Sequence, residues 1–337
     1  MKKILNTPES YVDDMLDGLC IAHPASYRRL GENGRVIARA EPIRTGKVGI
    51  ATGGGSGHLP LFTGYVGPGF ADACAVGNVF AGPASADCMD AMRAADGGAG
   101  VLRLYGNYGG DRMNFDMAGE MLALDGIDSD TVLVSDDIAS ASAEERHKRR
   151  GVGGTVYAFK IAGAKAEEDG TTLAEVAAVA RKAASACVSI GVALAPCIVP
   201  EAGKPTFLIA EDEIEMGMGI HGEPGIWRGK LKSAEQLADE MLERLLADMQ
   251  PARGERVSVL VNSLGATPHE ELYILYRQIA RVLSACGISI VAPLVGRYAT
   301  SMEMTGASIT LLRLDSELEK LLLAPAQCPF WSTHPCR

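Results

Sequence analysis

The chain of 337 residues is long enough for about two domains of ~150 residues each, and 47% of its residues are hydrophobic. Its net charge of −10 and its aromatic content of only 5% argue against a surface that binds nucleic acid or an anionic membrane. No apolar run approaches the ~20 residues of a membrane span, and the N-terminal residues soon turn polar and acidic, unlike a signal peptide. The eight cysteines form no CxxC pair, and Cys187 and Cys286 fall in apolar patterns typical of small buried side chains. These features predict a cytoplasmic protein.

Strand-like and helix-like patterns alternate through the first half of the chain. The predicted strands are residues 47–52, 101–105 and 131–135, and the predicted helices start at Thr7, cover 84–95, pass through 117–124 and end near 166. Thr7 is predicted to cap the first helix because a proline and an acid follow it. This alternation is typical of an α/β domain with a largely parallel sheet, in which ligands bind beyond the carboxyl ends of the strands. His58 and Asp111 follow such ends, so we expect them to line one crevice.

The second half of the chain repeats the alternation. Thr172 with Glu175 forms a predicted capping box, and Thr267 is predicted to cap a later helix. The strands predicted here are residues 189–194, 207–210, 257–261, 288–292 and 309–314. We therefore predict an α/β protein of two domains, 1–186 and 187–337, each with a mostly parallel or mixed sheet flanked by helices.

Two histidines lie in glycine-rich segments that are predicted to be loops. His221 lies in Gly-Met-Gly-Ile-His-Gly-Glu-Pro-Gly at 217–225, and His58 ends Gly-Gly-Gly-Ser-Gly-His at 53–58. Glycine lets the backbone take a positive φ and lets a ligand come close, and such loops often carry binding and catalytic groups. A single histidine of this kind more often belongs to an ordinary turn, whereas two of them favour a functional site.

The sequence does not support a nucleotide site or a metal site in this chain. The glycines at 53–57 could bind an anion through backbone N–H groups at a helix N-terminus, or simply form a tight turn. They lack the Lys-Ser/Thr pair of a nucleotide P-loop. Neither the kinase motifs HRD and DFG nor an HExxH or paired-cysteine zinc pattern occurs. The basic residues 146–150 are predicted to form a solvated loop.

Several motifs occur in order, nearly from end to end, and together resemble one family. They are Gly-Gly-Gly-Ser-Gly-His at 53–58, Asn-Tyr-Gly-Gly-Asp at 107–111, Arg-Arg-Gly-Val at 149–152, Ala-Gly-Lys-Pro-Thr at 202–206, the His221 segment at 217–225, Asn-Ser-Leu-Gly-Ala-Thr-Pro at 262–268 and Thr-Ser-Met-Glu-Met-Thr-Gly at 300–306. With these motifs the chain resembles the substrate-binding subunit of the dihydroxyacetone (glycerone) kinase family. The His221 segment is highly specific.

The resemblance implies that His221 adds to the carbonyl carbon of a short-chain ketose and forms a reversible hemiaminal. It also implies that Asp111 is the base that accepts the proton of the terminal hydroxyl, and that His58 hydrogen-bonds the bound ketose. Backbone N–H groups around Gly54 and Gly55 would hold substrate oxygens. Polyols such as glycerol have no carbonyl group and would be rejected.

In this family a separate helical subunit or domain holds the phosphoryl donor, as Mg-ATP or as ADP recharged from the phosphotransferase system. The resemblance therefore implies a homodimeric kinase subunit that has no cofactor or metal of its own and is inactive without its donor subunit. The alternative is a non-catalytic ketose sensor or coactivator of a transcriptional regulator. Asp111 favours the enzyme, because a sensor needs no base.

Three residues depart from the family's pattern. Leu59 stands where a glutamate is common, Gly82 where a serine is usual, and Gly106 where a lysine is usual. Two glycines in place of polar side chains should enlarge the pocket and remove polar contacts. A tetrulose such as erythrulose would then fit as well as dihydroxyacetone. Sequence drift that is compensated elsewhere explains the same departures equally well.

Overall fold

The computed structural model describes residues 2–333, and within them the chain forms two large β-sheets, a two-stranded ribbon and eight α-helices. The helices are α1 Tyr11–Ala22, α2 Ser85–Ala95, α3 Gly109–Leu124, α4 Gly154–Ala166, α5 Leu173–Ser185, α6 Ala234–Met249, α7 His269–Ala285 and α8 Ser316–Leu323. The strands are β1 Tyr27–Leu30, β2 Val36–Arg39, β3 Gly49–Ser56, β4 Ala73–Val79, β5 Val101–Gly106, β6 Ser129–Val134, β7 Cys187–Ala195, β8 Glu213–Met216, β9 Trp227–Lys230, β10 Arg256–Ser263, β11 Ser289–Ile290, β12 Leu294–Gly296, β13 Thr305–Leu314, β14 Ala326–Cys328 and β15 Trp331–Thr333. Both large sheets mix parallel and antiparallel strands, so the predicted fold class is confirmed.

The first sheet has the strand order β1-β2-β4-β3-β5-β6, with β3 parallel to both of its neighbours. The chain leaves β3 for β4 on one side and then crosses to β5 on the other side. Strand β3 stays paired with β4 as far as Ser56, whereas its ladder with β5 stops at Ala51. The carboxyl ends of β3 and β5 therefore separate, and ligands of α/β sheets bind in the crevice at such a switch point.

The second sheet has the strand order β11-β10-β13-β7-β8-β9, and β12 also pairs with β10. Helix α4 lies between the two sheets, because nearly all of its residues are buried and it contacts strands of both. At its start, Asp136 accepts hydrogen bonds from the N–H groups of Val152 at 2.8 Å and Gly154 at 2.6 Å. The predicted domain boundary after residue 186 falls between the sheets in sequence, and it stays a prediction.

The first residues of the helices show which of the predicted N-terminal caps form in the structure. The predicted capping box at Thr172 is confirmed at the start of α5. Helix α1 begins after Thr7 rather than at it, because Thr7 and Ser10 hydrogen-bond each other within a preceding turn. The prediction that Thr267 caps α7 is also wrong. Its hydroxyl donates to the carbonyl of Gly306 at 2.7 Å and accepts from the N–H of Gly306 at 2.8 Å, which ties it to β13.

The strand that was predicted at residues 207–210 from its apolar content is wrong. Residues 207–210 lie outside the sheets, whereas the more polar β8 pairs with β7. Ile214 and Met216 are buried on one face of β8, and the carboxylate-bearing Glu215 lies on the other. The alternation of apolar and charged side chains, rather than a continuous apolar run, is the signal of this strand.

The glycines at 53–55 belong to strand β3 rather than to a loop. They pair with residues 75–77 of β4, and the next α-helix begins only after β4 has ended. Neither alternative considered for this segment, an anion site at a helix N-terminus or a tight turn, therefore describes residues 53–55. The missing side chains allow close packing instead, since a Cβ on Gly54 would overlap the ring of Phe62.

Two further features are the length and polarity of the helices and the burial of the cysteines. In the described part of the chain, every helix is too short or too polar to cross a membrane. Cys187 is buried at the start of β7, whereas Cys286 is exposed at the end of α7, so its predicted burial is wrong. The cysteines that the structure describes are all free thiols.

Candidate active site

His58 lies just beyond the end of β3, and its side chain is only 1% exposed. Its Nδ1 lies 2.7 Å from the carbonyl oxygen of Thr300, and its ring stacks on Phe80 with a centroid distance of 4.9 Å. Burial, and then the neighbouring His221, lower the pKa of His58 to about 3. The ring is therefore neutral, with its proton on Nδ1. Its Nε2 keeps a free lone pair, because that atom has no hydrogen-bond partner among the described residues.

The carbonyl group that holds His58 is positioned by the second sheet. Asn262, at the end of β10, accepts hydrogen bonds from the N–H groups of Tyr298 at 2.8 Å and Ala299 at 2.9 Å. Its amide nitrogen donates to the carbonyl of Ala299 at 2.7 Å. The N–H of Thr300 then donates to the carbonyl of His58 at 3.2 Å. Asn262 thereby orders the segment that fixes the imidazole, a role that its position in the sequence alone does not reveal.

His221 lies in the loop between β8 and β9, and its ring contacts three rings from the first half of the chain. The centroid distances are 4.8 Å to His58, 5.4 Å to Phe80 and 4.8 Å to Tyr108. The Nδ1 of His221 lies 2.9 Å from Oε1 of Glu223. The structure thus brings together the two glycine-framed histidines, one from each large sheet.

Asp111 lies in the first turn of α3, and its side chain is buried. Its Oδ1 has no hydrogen-bond partner within residues 2–333. Burial raises the pKa of Asp111 to about 7, and the nearby His221 opposes this shift only in part. A Cβ on Gly82 would lie 2.6 Å from this Oδ1, so the glycine leaves the space that the carboxylate occupies. Because β3 and β5 are neighbouring parallel strands, His58 and Asp111 follow strand ends at the same edge of the first sheet. Their place in one ligand crevice stays a prediction.

The other glycines of the site allow aromatic rings to approach the histidines. A Cβ on Gly55 would lie 2.9 Å from the Cα of Phe80, and a Cβ on Gly106 would lie 3.1 Å from the ring of Tyr108. Both rings contact His221, so larger residues at these glycines would disturb its surroundings. The predicted contacts of Gly54 and Gly55 with substrate oxygens stay predictions.

Local sequence patterns do not reveal the charged residues that the fold brings together near His221. The prediction that residues 146–150 form a solvated loop is wrong for Arg149 and Arg150. Buried Arg149 forms two hydrogen bonds with the carboxylate of Asp248, the first at 3.0 Å. Arg150 lies among the carboxylates of Asp137 and Glu223. The motifs at 149–152 and 217–225 contain Arg150 and Glu223, but their pairing depends on the fold. In residues 2–333, no group of three or more His, Cys, Asp or Glu side chains could hold a metal ion.

Comparison with known sequences identifies relatives across the whole described chain. The Dak1 domain family model matches residues 17–330. The dihydroxyacetone-binding subunit of PTS-dependent dihydroxyacetone kinase 2 from Listeria innocua is 46% identical, over 98% of this chain and 99% of its own length. The D-erythrulose kinase of Mycolicibacterium smegmatis is 43% identical, over 98% of this chain but 56% of its own length.

Solved structures share the fold. The dihydroxyacetone kinase from C. freundii in complex with AMP-PNP and Mg2+ matches with a TM-score of 0.89 and 33% identity, over 100% of this chain and 62% of that chain. The dihydroxyacetone kinase operon co-activator Dha-DhaQ matches with a TM-score of 0.88 and 34% identity, over 96% of this chain and 98% of its own. The fold and the site together describe an α/β protein with two mixed sheets, in which a histidine from each sheet's half of the chain contacts the other. The chain belongs to the dihydroxyacetone kinase family, as a member built on the Dak1 domain.

Proposed function

We propose that the chain is the ketose-binding subunit of a two-component kinase, which holds dihydroxyacetone or a tetrulose such as erythrulose for phosphorylation of its terminal hydroxyl. One observation carries this proposal. The Nε2 of His58 and the Oδ1 of Asp111 are buried near His221 and lack hydrogen-bond partners in the described part of the chain. An unpaired buried polar atom costs about 1–3 kcal/mol, so two such atoms in one crevice favour a ligand that pairs with both.

Each side chain has a chemical role in this proposal. The Nε2 of His221 adds to the ketone carbon and forms a reversible hemiaminal. The Nε2 of His58 accepts a hydrogen bond from the bound ketose, since this atom is buried and carries a free lone pair. Asp111 takes the proton of the terminal hydroxyl as that oxygen attacks the phosphoryl group. A base with a pKa near the working pH suits this step, and the pKa of Asp111 is about 7.

The phosphoryl donor in this proposal is held by a second subunit, as Mg-ATP or as ADP recharged from the phosphotransferase system. The relative named as PTS-dependent matches this chain over 99% of its own length, whereas the C. freundii kinase, solved with AMP-PNP and Mg2+, extends well beyond the matched part. This difference supports a donor site outside the matched region.

We further propose that the protein acts in the cytoplasm and as a homodimer.

The proposal includes tetruloses because of Gly82 and Gly106. A serine and a lysine at these positions would add polar groups beside Asp111 and Tyr108. The carboxylate of Asp111 and the ring of Tyr108 occupy the space where those side chains would start, so the proposal rests on the lost polar contacts rather than on added volume. The similarity to a D-erythrulose kinase supports the same substrate class.

Mass spectrometry of the purified chain tests the proposal. We expect native spectra with dihydroxyacetone or erythrulose to show the mass of one bound ketose, and spectra with glycerol to show none. The variant His221→Gln should bind no ketose covalently. With a donor subunit from a PTS-dependent or ATP-dependent system, the wild-type chain should support formation of ketose phosphate. A chain that binds glycerol as well as ketoses, or that supports no transfer with either donor, contradicts the proposal.

A ketose sensor is the second candidate function, and the similarity to the co-activator Dha-DhaQ is the observation that favours it. A sensor needs the covalent contact of His221 but not the base. The buried carboxylate of Asp111 therefore supports the kinase subunit. A gene for a donor subunit beside the gene of this chain would favour the kinase, and a regulator gene alone would favour the sensor.

A further inference from the structure

A chain of charged side chains connects the first half of the protein with the imidazole of His221. Arg150 lies between two carboxylates, with its Nη2 2.7 Å from Oδ2 of Asp137 and its Nη1 3.7 Å from Oε2 of Glu223. The same Oε2 accepts a hydrogen bond from the backbone N–H of His221 at 2.9 Å. The other carboxylate oxygen, Oε1, lies 2.9 Å from Nδ1 of the imidazole. Both oxygens of Glu223 therefore hold the residue that is proposed to bind the ketose.

The absence of a side chain at Gly219 leaves the space that this chain of charged groups occupies. A Cβ on Gly219 would overlap both Oε2 of Glu223 and Nη1 of Arg150, so a side chain there would separate the two groups. Arg150 also donates to the carbonyl of Gly217 at 3.3 Å, at the start of the same loop. The side chain of Asp137 is 4% exposed and that of Arg150 is 14% exposed, so water screens their interaction weakly.

The carboxylate decides which nitrogen of His221 carries the proton. Burial raises the pKa of Glu223, but the hydrogen bond with His221, the charge of that imidazole and then the charge of Arg150 outweigh burial and lower the pKa to about 2. An ionised carboxylate can only accept a hydrogen bond, so the proton of a neutral imidazole must be on Nδ1. The lone pair is then on Nε2, the nitrogen that is free to attack a carbonyl carbon.

We propose that Glu223, Arg150 and Asp137 are positioning residues that make His221 a nucleophile, an inference that rests on the proposed function. When Nε2 bonds to the ketone carbon, the π electron pair of the carbonyl moves to its oxygen, which takes a proton from a water molecule, and the hydroxide that remains passes to the solvent. The imidazole becomes positively charged. Its Nδ1 keeps the proton and donates it in a hydrogen bond to the carboxylate of Glu223. The carboxylate stabilises this charge, and Arg150, fixed by Asp137, keeps the carboxylate in place.

Two measurements on the full chain test this inference. In protein labelled with 15N-histidine, the 15N spectrum reports which ring nitrogen of His221 is protonated, and loss of a signal in His221→Gln assigns it. With dihydroxyacetone labelled by 13C at the carbonyl carbon, the 13C spectrum reports the fraction of adduct. Glu223→Gln is the test variant. Glu211→Gln is the control, because Glu211 is an exposed carboxylate shortly before the same loop.

We expect the wild-type chain to show the Nδ1–H tautomer at His221. The adduct should be weaker by roughly ten- to a hundred-fold in Glu223→Gln and unchanged in Glu211→Gln. An Nε2–H tautomer in the wild-type chain, or a full-strength adduct in a folded Glu223→Gln, overturns the inference. If Glu223→Gln does not fold, the tautomer of the wild-type chain still decides. The absence of any adduct in the wild-type chain would instead refute the proposed function, while the tautomer, measured without ketose, would report separately on Glu223.

Discussion

Asp111 is expected to destabilise the folded protein in a way that depends on pH. Its carboxyl group is buried, and burial raises its pKa from 3.8 to about 7. In the unfolded chain the group ionises at its usual pKa, so between about pH 4 and about pH 7 only the folded state keeps the proton. The folded state binds more protons there, and its stability relative to the unfolded chain falls as the pH rises. Above about pH 7 both states are ionised and the penalty is constant.

The variant Asp111→Asn removes this penalty, because the amide has the size of the protonated carboxyl group and no charge. At about 1.4 kcal/mol per pKa unit, the shift corresponds to a maximum of ~4 kcal/mol. We expect the variant to gain ~2 kcal/mol over the wild type at about pH 5.5 and ~4 kcal/mol at about pH 8.5. An unpaired amide N–H would lower both gains equally, so the difference of ~2 kcal/mol between the two pH values is the quantity to test.

Urea unfolding of both proteins at the two pH values measures this difference in the free energy of unfolding. Glu120→Gln is the matched control, because it removes an exposed carboxylate from the same helix, and its effect should not grow with pH. Asp111→Asn should still bind the ketose but lose turnover with the donor subunit, since the base acts on the hydroxyl group and not on the carbonyl. A gain that is equal at both pH values refutes the argument from burial, and near-normal turnover shows that Asp111 is structural.

Three further predictions concern the reaction. The chain alone with Mg-ATP should form no ketose phosphate in a product assay, because it lacks a P-loop and kinase motifs, and any clear product formation contradicts this. With the donor subunit, turnover should rise with pH through about 7, because Asp111 must lose its proton, whereas a flat pH profile would exclude that role. Erythrulose should compete with dihydroxyacetone, since a pocket discriminates one carbon unit by only about 1–3 kcal/mol. In competition kinetics, a strong preference for dihydroxyacetone that Gly106→Lys leaves unchanged would show that the glycines do not set substrate size.

The common sheet edge of His58 and Asp111 could be predicted from the sequence because it depends on a general property of α/β sheets. His58 and Asp111 each follow a strand, and the ends of parallel strands meet at one edge of a sheet. The sequence did not show that β3 and β5 are neighbours, because strand order depends on contacts between distant segments. The glycines before His58 were predicted as a loop, since glycine is rare inside strands. The structure has them in β3, where Phe62 packs on Gly54.

The residues around His221 could not be predicted from local patterns. A run of basic residues ordinarily indicates a solvated loop, and nothing near Arg150 in sequence marks it as an ion-pair partner of Glu223. The two are brought together only when the loop after β6 meets the loop after β8. The importance of Gly82 could not be predicted either. The glycine leaves space for the carboxylate of Asp111, which belongs to another element.

The two histidines are each held by the opposite half of the protein. His58 follows a strand of the first sheet, but its Nδ1 proton is held by Thr300, within a segment that Asn262 of the second sheet orders. His221 belongs to a loop of the second sheet, but the carboxylate beside it is held by Arg150, which follows the first sheet. A shift of one sheet against the other would therefore release both imidazoles at once. The packing of the sheets around α4 is thus a requirement of the site itself, because both ring orientations depend on it.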